Sequence, residues 1–311
     1  MFIRSCLLFC ILVAFALAQG TPGGKTEIIT EFTPLSEDEL KEGMIRLFDG
    51  FSTFGWKGDE AAKVENGLLF YVGKKFEDTP TCFFDVSSKN REWFEAKSDD
   101  GLYPRGVVSV VVQPGKMEGM SSLFDGKTLD GWTIRGDAEA DVKDGVIRLT
   151  KGSGSLESEG KYGDFILQLE YFTPERPEGK GVNSGVFFRC IPGQTMNGYE
   201  CQILNKPSAE DYAKFIGTDT GGIFRRQVGR NVGPKDGEWN YLTIAARGTR
   251  MATWVNGIQV TDWNDERKPH ENPRNGCRVE AGTIQFQGHD AETEILFQNI
   301  RIRELSNTSS R

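Results

Sequence analysis

Three ionisable side chains stand where a strand could aim them at a substrate. Glu200 lies mid-strand in Tyr-Glu-Cys-Gln-Ile at 199–203, flanked by apolar residues. Burial at such a position raises a carboxyl pKa and makes it a usable base. His289 closes Thr-Ile-Gln-Phe-Gln-Gly-His at 283–289 and is one of 2 histidines in the chain. An imidazole titrates near neutral pH and can be the partner acid or base. Arg189 ends Asn-Ser-Gly-Val-Phe-Phe-Arg at 183–189, where its charge could steady an oxyanion. Around these three stand the amides Asn183, Gln202, Gln285 and Gln287. Each amide offers both donors and an acceptor, which suits sugar hydroxyls. Phe187 could lie under a pyranose ring, and Trp239 could stack on one. Arg225 and Arg226 end a glycine-hinged loop, Thr-Gly-Gly-Ile-Phe-Arg-Arg at 220–226, and could hold an oxyanion or a sugar. Each residue also has a plainer reading. The amides could bond one another across strands, Glu200 could pair with Arg189, Trp239 could be core, and the loop arginines could be surface charge.

The elements that would carry these residues are strands. In 182–189, Val182, Ser184, Val186 and Phe188 share one side, and Asn183, Gly185, Phe187 and Arg189 the other. In 199–203, Glu200 and Gln202 oppose Tyr199, Cys201 and Ile203. In 283–289, Gln285, Gln287 and His289 oppose Ile284 and Phe286. Further alternating runs occur at 165–171, 241–247, 251–255, 258–263 and 294–305, with Asn256-Gly257 marking a type I′ hairpin. Helical periodicity is nearly absent; Ser36 caps a short helix ending at Gly43, and 208–215 has room for one turn. Many short strands between turns predict an all-β, two-sheet antiparallel sandwich.

Bulk properties narrow the partners. The chain of 311 residues has formal charge −8 and no basic run, which excludes nucleic acid as an expected ligand. Residues 1–18 read as a signal peptide, with Arg4, an apolar run, and Ala16-Leu17-Ala18 before Gln19. Bulky Phe9 before Cys10 argues against a lipid anchor, and no later run is apolar enough to span a bilayer. The expectation is export, to the periplasm or the outside. Cys82, Cys190, Cys201 and Cys277 then remain; Cys190 and Cys201 flank a hairpin loop and could pair, or be small buried thiols. Asp219 and Asp290 are spare carboxylates, and His270 lies in a loop braced by Pro269 and Pro273, where a turn-stabilising role is expected. No His/Asp spacing specifies a metal, so a divalent cation stays open.

The domain plan shows an internal echo. Leu47-Phe48-Asp49-Gly50 with Gly55-Trp56 recurs as Leu123-Phe124-Asp125-Gly126 with Gly131-Trp132. Asn66-Gly67 and Asp144-Gly145 then open an apolar strand in each copy. We read a flexible leader and short helix at 19–43, a degenerate β-rich half-repeat at 44–117, and a complete β-sandwich at 121–305.

Several pieces in order make the second copy resemble a known family. They are Ser-Leu-Phe-Asp-Gly-Lys-Thr-Leu-Asp-Gly-Trp at 122–132, Asn-Ser-Gly-Val-Phe-Phe-Arg at 183–189 and Gly-Tyr-Glu-Cys-Gln-Ile-Leu at 198–204. Thr-Gly-Gly-Ile-Phe-Arg-Arg at 220–226, Glu-Trp-Asn at 238–240 and Phe-Gln-Asn-Ile-Arg-Ile-Arg-Glu-Leu at 297–305 complete the set. The chain thereby resembles the 3-keto-disaccharide hydrolase family. The resemblance implies a jelly-roll sandwich of concanavalin or laminin-G type and action on an oxidised oligosaccharide or glycoside, carrying a ketone at C3. A loop like Thr-Gly-Ala-Ile-Tyr-Gly is common there, so Arg225 and Arg226 depart from the pattern. The half-repeat lacks the Asn-Ser-Gly, Tyr-Glu-x-Gln and Gln-Gly-His elements and is expected to have no site of its own. A non-catalytic, lectin-like carbohydrate-binding module is the alternative function. The oligomeric state is not legible in the sequence.

Overall fold

The computed structural model describes residues 34–49, 52–56, 63–65, 68–71, 83, 93–95, 105–107, 111–112, 120–176 and 180–305. The expected signal at 1–18, most of the expected leader, much of the expected half-repeat and Cys82 lie outside the described residues.

Residues 121–305 form the expected all-β antiparallel sandwich. Its strands are β1 (Trp132–Gly136), β2 (Glu139–Lys143), β3 (Val146–Thr150), β4 (Gly154–Ser158), β5 (Phe165–Phe172) and β6 (Ser184–Cys190). They continue as β7 (Tyr199–Ile203), β8 (Trp239–Arg247), β9 (Arg250–Val255), β10 (Ile258–Asn264), β11 (Thr283–Gly288) and β12 (Glu294–Glu304). The front sheet runs β7-β6-β11-β4-β1, and the back sheet β10-β9-β8-β5-β12-β3-β2, with Ser121–Ser122 pairing onto β12. Hydrophobic periodicity of 2 sends Val186, Phe188, Tyr199, Cys201, Ile284 and Phe286 of the front sheet inward. They meet Leu167, Leu169, Tyr171, Leu242, Ile244 and Phe297 of the back sheet. Trp132, Phe286 and Phe297 stack through the core, with centroids 4.9 and 4.3 Å apart.

The sequence echo is a structural one. Trp56 Nε1 donates to Leu47 O at 2.6 Å, and Trp132 Nε1 to Leu123 O at 2.8 Å. Asp49 accepts from Ser52 N, as Asp125 does from Lys127 N and Thr128 N. Strand pairs Lys63–Glu65 with Leu68–Tyr71, and β2 with β3, follow in the two copies, each joined by two residues. The first copy's segment packs on the outer face of the back sheet. Ile45, Leu47, Phe48 and Phe83 cover Ile166, Ala245, Ala252 and Trp254. Gln168 donates to Gly43 O, Trp254 to Arg46 O, and Arg230 pairs with Asp49 at 2.6 Å. β5 is therefore buried on both faces over most of its length, whereas β12 alternates.

Two short helices occur where capping residues dictate. α1 (Glu37–Lys41) and α2 (Ala209–Lys214) start at capping boxes built on Ser36 and Ser208. The β9–β10 hairpin turns through Asn256 and Gly257, at φ 49 and 77, the type I′ geometry. Cys190, Cys201 and Cys277 are buried free thiols, so Cys190 and Cys201 are not paired. Their positions explain this: Cys201 pairs across the strands with Val186, and Cys190 with Thr283.

Candidate functional site

The outer face of the front sheet is polar, and register lines it up in rows. Glu157 of β4 faces Gln285 of β11, which faces Phe187 of β6, which faces Glu200 of β7. In the neighbouring row Arg135 of β1 faces Ser155, Ser155 faces Gln287, and Gln202 faces Gly185. Strand alternation alone thus gathers Glu200, Gln202, Gln285 and Gln287 on one surface.

Glu200 lies at the floor, 4% exposed. Burial pushes its pKa up to about 7, against the pull of Arg274, His289 and Arg225. Arg274 Nη2 donates to Glu200 Oε2 at 3.1 Å. Gly185 leaves the space that the carboxyl fills: a Cβ there would lie 3.0 Å from Glu200 Oε1.

His289 stands at the mouth, and its neighbours fix one tautomer. Gln202 Nε2 donates to Asn183 Oδ1 at 2.8 Å, which turns Asn183 Nδ2 toward His289 Nε2 at 3.1 Å. Nδ1 then carries the proton and donates to Asp290 Oδ2 at 3.0 Å. Burial works against the Asp290 carboxylate, but bonds from His289 and Glu292 N hold its pKa below the usual value. Gln202, Asn183 and Asp290, from three segments, therefore fix the orientation of the imidazole.

A second buried carboxylate, Glu157, escaped the sequence reading. Its Oε1 accepts from Thr283 Oγ1, Gln285 Nε2 and Gly193 N, and its Oε2 from Arg135 Nε at 2.6 Å. Burial raises its pKa, but those four donors prevail and the net shift is downward. The two carboxylates of one row are thus driven apart, Glu200 toward a neutral-range base and Glu157 toward a permanent anion.

Loops from distant parts of the chain roof this face. The 220–224 segment pairs along the edge of β7, with Gln202 N donating to Gly222 O and Phe224 N to Glu200 O. Arg274 projects from the Pro269–Pro273 loop, donates to Met196 O, and sets its guanidinium 5.0 Å from the centroid of Phe187. Arg226 donates to Arg274 O and so braces that loop. Gln287 Nε2 reaches Met196 Sδ at 3.0 Å, while Gln287 Oε1 is buried without a hydrogen-bond partner among the described residues. Arg225 lies on the exposed rim beside Phe215 and Phe224. Arg274, like Glu157, is a site residue that sequence reasoning missed. Its signal was the two-proline loop, in which His270 attracted attention instead; His270 Nδ1 accepts from Asn272 N, a turn bond.

Four expected site residues take other roles. Arg189 is fully buried and donates to Gly163 O, Gly248 O and Arg278 O and to Asp164 Oδ1. The β6–β11 register shifts between Phe187 and Cys190, and Arg189 has φ 50; this bulge turns its side chain off the polar face. It cannot pair with Glu200, whose partner is Arg274. Trp239 packs on Phe172 in the back sheet, centroids 5.7 Å apart, away from the front face. Phe187 is buried beneath Arg274, so its ring face is not open to a sugar. Gln285 is buried, and its amide bonds Glu157, Gln194 O, Met196 N and Ser155; it anchors the 191–198 loop. Asn183, Gln202, Gln287, Glu200 and His289 are brought together. Among the described residues no three His, Cys, Asp or Glu side chains converge as a metal site, and no helix is long and apolar enough to cross a membrane.

A family model described as the 3-keto-alpha-glucoside-1,2-lyase-like domain matches residues 119–303. A 3-keto-disaccharide hydrolase of Bacteroides thetaiotaomicron is 25% identical over 242 residues, which cover 62% of this chain and 80% of that protein. An uncharacterized protein of Archaeoglobus fulgidus is 35% identical over 71 residues, covering 23% of this chain and 39% of its own length. Relative to that protein, the match spans only a minor part. A crystal structure of a proposed glycosyl hydrolase from Parabacteroides distasonis is 26% identical, with TM-score 0.47, covering 73% of this chain and 100% of that one.

Proposed function

Because this chain belongs to the 3-keto-alpha-glucoside-1,2-lyase-like family, we propose that it cleaves 3-keto-glycosides, 3-keto-disaccharides among them, by elimination followed by hydration. The observation that carries the reading is the state of Glu200. It is a buried carboxyl with pKa about 7, set in the hollow at Gly185 and paired with Arg274.

A ketone at C3 acidifies the proton on C2. Glu200 removes that proton, and the electron pair moves onto the C3 oxygen as an enolate. Arg274, held beside Glu200, supplies the cationic charge that steadies it. The enolate collapses, C1=C2 forms, and the C1 oxygen leaves with a proton from the now protonated Glu200. Water then adds to C1, its proton passing to His289 Nε2 as Asn183 Nδ2 gives up that lone pair, and the imidazolium returns the proton to C2; the sum is hydrolysis. Asn183 and Gln202 orient that imidazole, and the unpartnered Gln287 Oε1 accepts from a sugar hydroxyl. Paired-carboxylate glycosidase chemistry is disfavoured, since Glu157 is committed to four donors and stands three strands away. Residues 1–18 support action outside the cytoplasm, in the periplasm or beyond.

Purified protein should consume 3-keto-trehalose or 3-keto-lactose and release both sugars. Glu200→Gln and His289→Ala should each depress turnover by about 100-fold or more. Retained turnover in both variants, or saturable binding of the unoxidised disaccharide with no product from the oxidised one, overturns the reading.

A further inference from the structure

Arg225 differs from the other arginines that roof the front sheet. Arg274 bonds Glu200 and Met196 O, Arg226 bonds two carbonyls, and Arg267 is forked onto Asp265. Among the described residues the Arg225 guanidinium has no hydrogen-bond or ion-pair partner. Its Cζ instead lies 4.5 Å from the ring centroid of Phe215 and 5.3 Å from that of Phe224. The two rings hold the group by its apolar contacts and use none of its N–H donors, the donors that bind an oxyanion bidentately.

The group is also held in place. Arg225 has φ 61, a backbone state uncommon for a residue with a side chain. Its N–H donates to Ile216 O at 2.7 Å, and the preceding residue's N–H, that of Phe224, donates to Glu200 O. One residue thus separates it from the strand that carries the base. The ground around it is apolar and open: Phe215 is 37% exposed, Ile216 57% and Val228 51%.

Resting on the proposed elimination, we propose that Arg225 with Phe215 and Phe224 forms the leaving-group subsite, and that this subsite selects substrates whose leaving group carries an oxyanion, a carboxylate above all, on an apolar or aromatic body. The apolar body would rest on the rings while the oxyanion meets the guanidinium fork.

The test uses the whole protein and two synthetic substrates, phenyl and 4-carboxyphenyl 3-keto-β-glucoside, with calorimetry of the released 4-hydroxybenzoate and phenol. The carboxylated substrate should be favoured in kcat/KM by about tenfold, the worth of one charge-assisted hydrogen bond pair at a solvated site. Arg225→Gln should bring that ratio close to one, Arg225→Lys should restore part of it, and 4-hydroxybenzoate should bind the wild type more tightly than the Gln variant. Equal turnover of the two substrates, or a ratio unchanged in Arg225→Gln, overturns the subsite and leaves the proposed reaction standing. If neither substrate is cleaved, the reaction itself is judged on 3-keto-trehalose and 3-keto-lactose, whose turnover upholds it and whose survival overturns it. The subsite is then judged on calorimetry alone, with tighter 4-hydroxybenzoate binding to the wild type than to Arg225→Gln supporting it and equal or absent binding rejecting it.

Discussion

Gly185 and Glu200 lie diagonally across neighbouring strands with no room for another atom between them. A Cβ on residue 185 would come within 3.0 Å of Glu200 Oε1 and 3.1 Å of its Cγ. The missing side chain is what allows a carboxyl to fold down beside the sheet and lose its water. That seat, under the roof of distant loops, keeps Glu200 buried and its acid strength low enough to serve as a base near pH 7.

Gly185→Ala tests this relation. The methyl group would force the carboxyl away from its position opposite Arg274. Overpacking of this kind costs about 1–3 kcal/mol, so the variant should fold with a modestly lower Tm. Activity on a 3-keto-disaccharide should fall by at least about tenfold. A variant with wild-type kcat/KM would show that the carboxyl does not need this seat.

The raised pKa of Glu200 has a signed effect on stability. The folded state holds the proton more tightly than the unfolded chain, whose carboxyl titrates near 4.5. The stabilisation is therefore complete below that pH and is lost as pH rises to about 7. The loss is roughly 3 kcal/mol, from the span between the two values. Glu200→Gln removes the titration, so its stability relative to wild type should climb between pH 4.5 and 7 and then level off. Urea unfolding at a series of pH values reads this directly, and a difference that does not vary with pH would contradict it. The wild-type kcat/KM should rise through an apparent pKa near 7, because the base acts ionised. Glu157 has the opposite sign: its lowered pKa stabilises the fold above the unfolded value, and that part is lost as pH falls through the folded pKa.

Arg189 should matter for folding and not for the reaction. Its guanidinium satisfies three carbonyls and Asp164 inside the protein. Lysine cannot reproduce that fork, so Arg189→Lys should cost about 2–4 kcal/mol by chemical denaturation. At temperatures where the variant stays folded, its KM should match the wild type. A KM change without loss of stability would return Arg189 to the substrate site.

Residues 183–189, 199–203 and 283–289 each divide into an apolar and a polar side, and that division survives folding because side-chain direction in a strand has period 2. The same local rule made the Asn256-Gly257 hairpin, the Ser36 cap and the Leu-Phe-Asp-Gly echo legible in advance. The resemblance carried by the ordered motifs pointed to the same sandwich. So the sequence by itself determined the all-β class and the identity of the polar face that holds Glu200, Gln202, Gln287 and His289.

Tertiary structure decided what covers that face. Arg274 comes from a loop 74 residues beyond Glu200, and no local pattern marks which distant loop will settle over a given strand. Its arrival closes the ring of Phe187, and the 191–198 loop does the same for Gln285. A bulge set by positive φ turned Arg189 inward, and the sheet to which β8 belongs took Trp239 to the back. The physical reason is one of range. Alternation and capping depend on neighbours a few bonds away, whereas burial, ion pairing and the pKa of Glu200 depend on which remote segments exclude water from it.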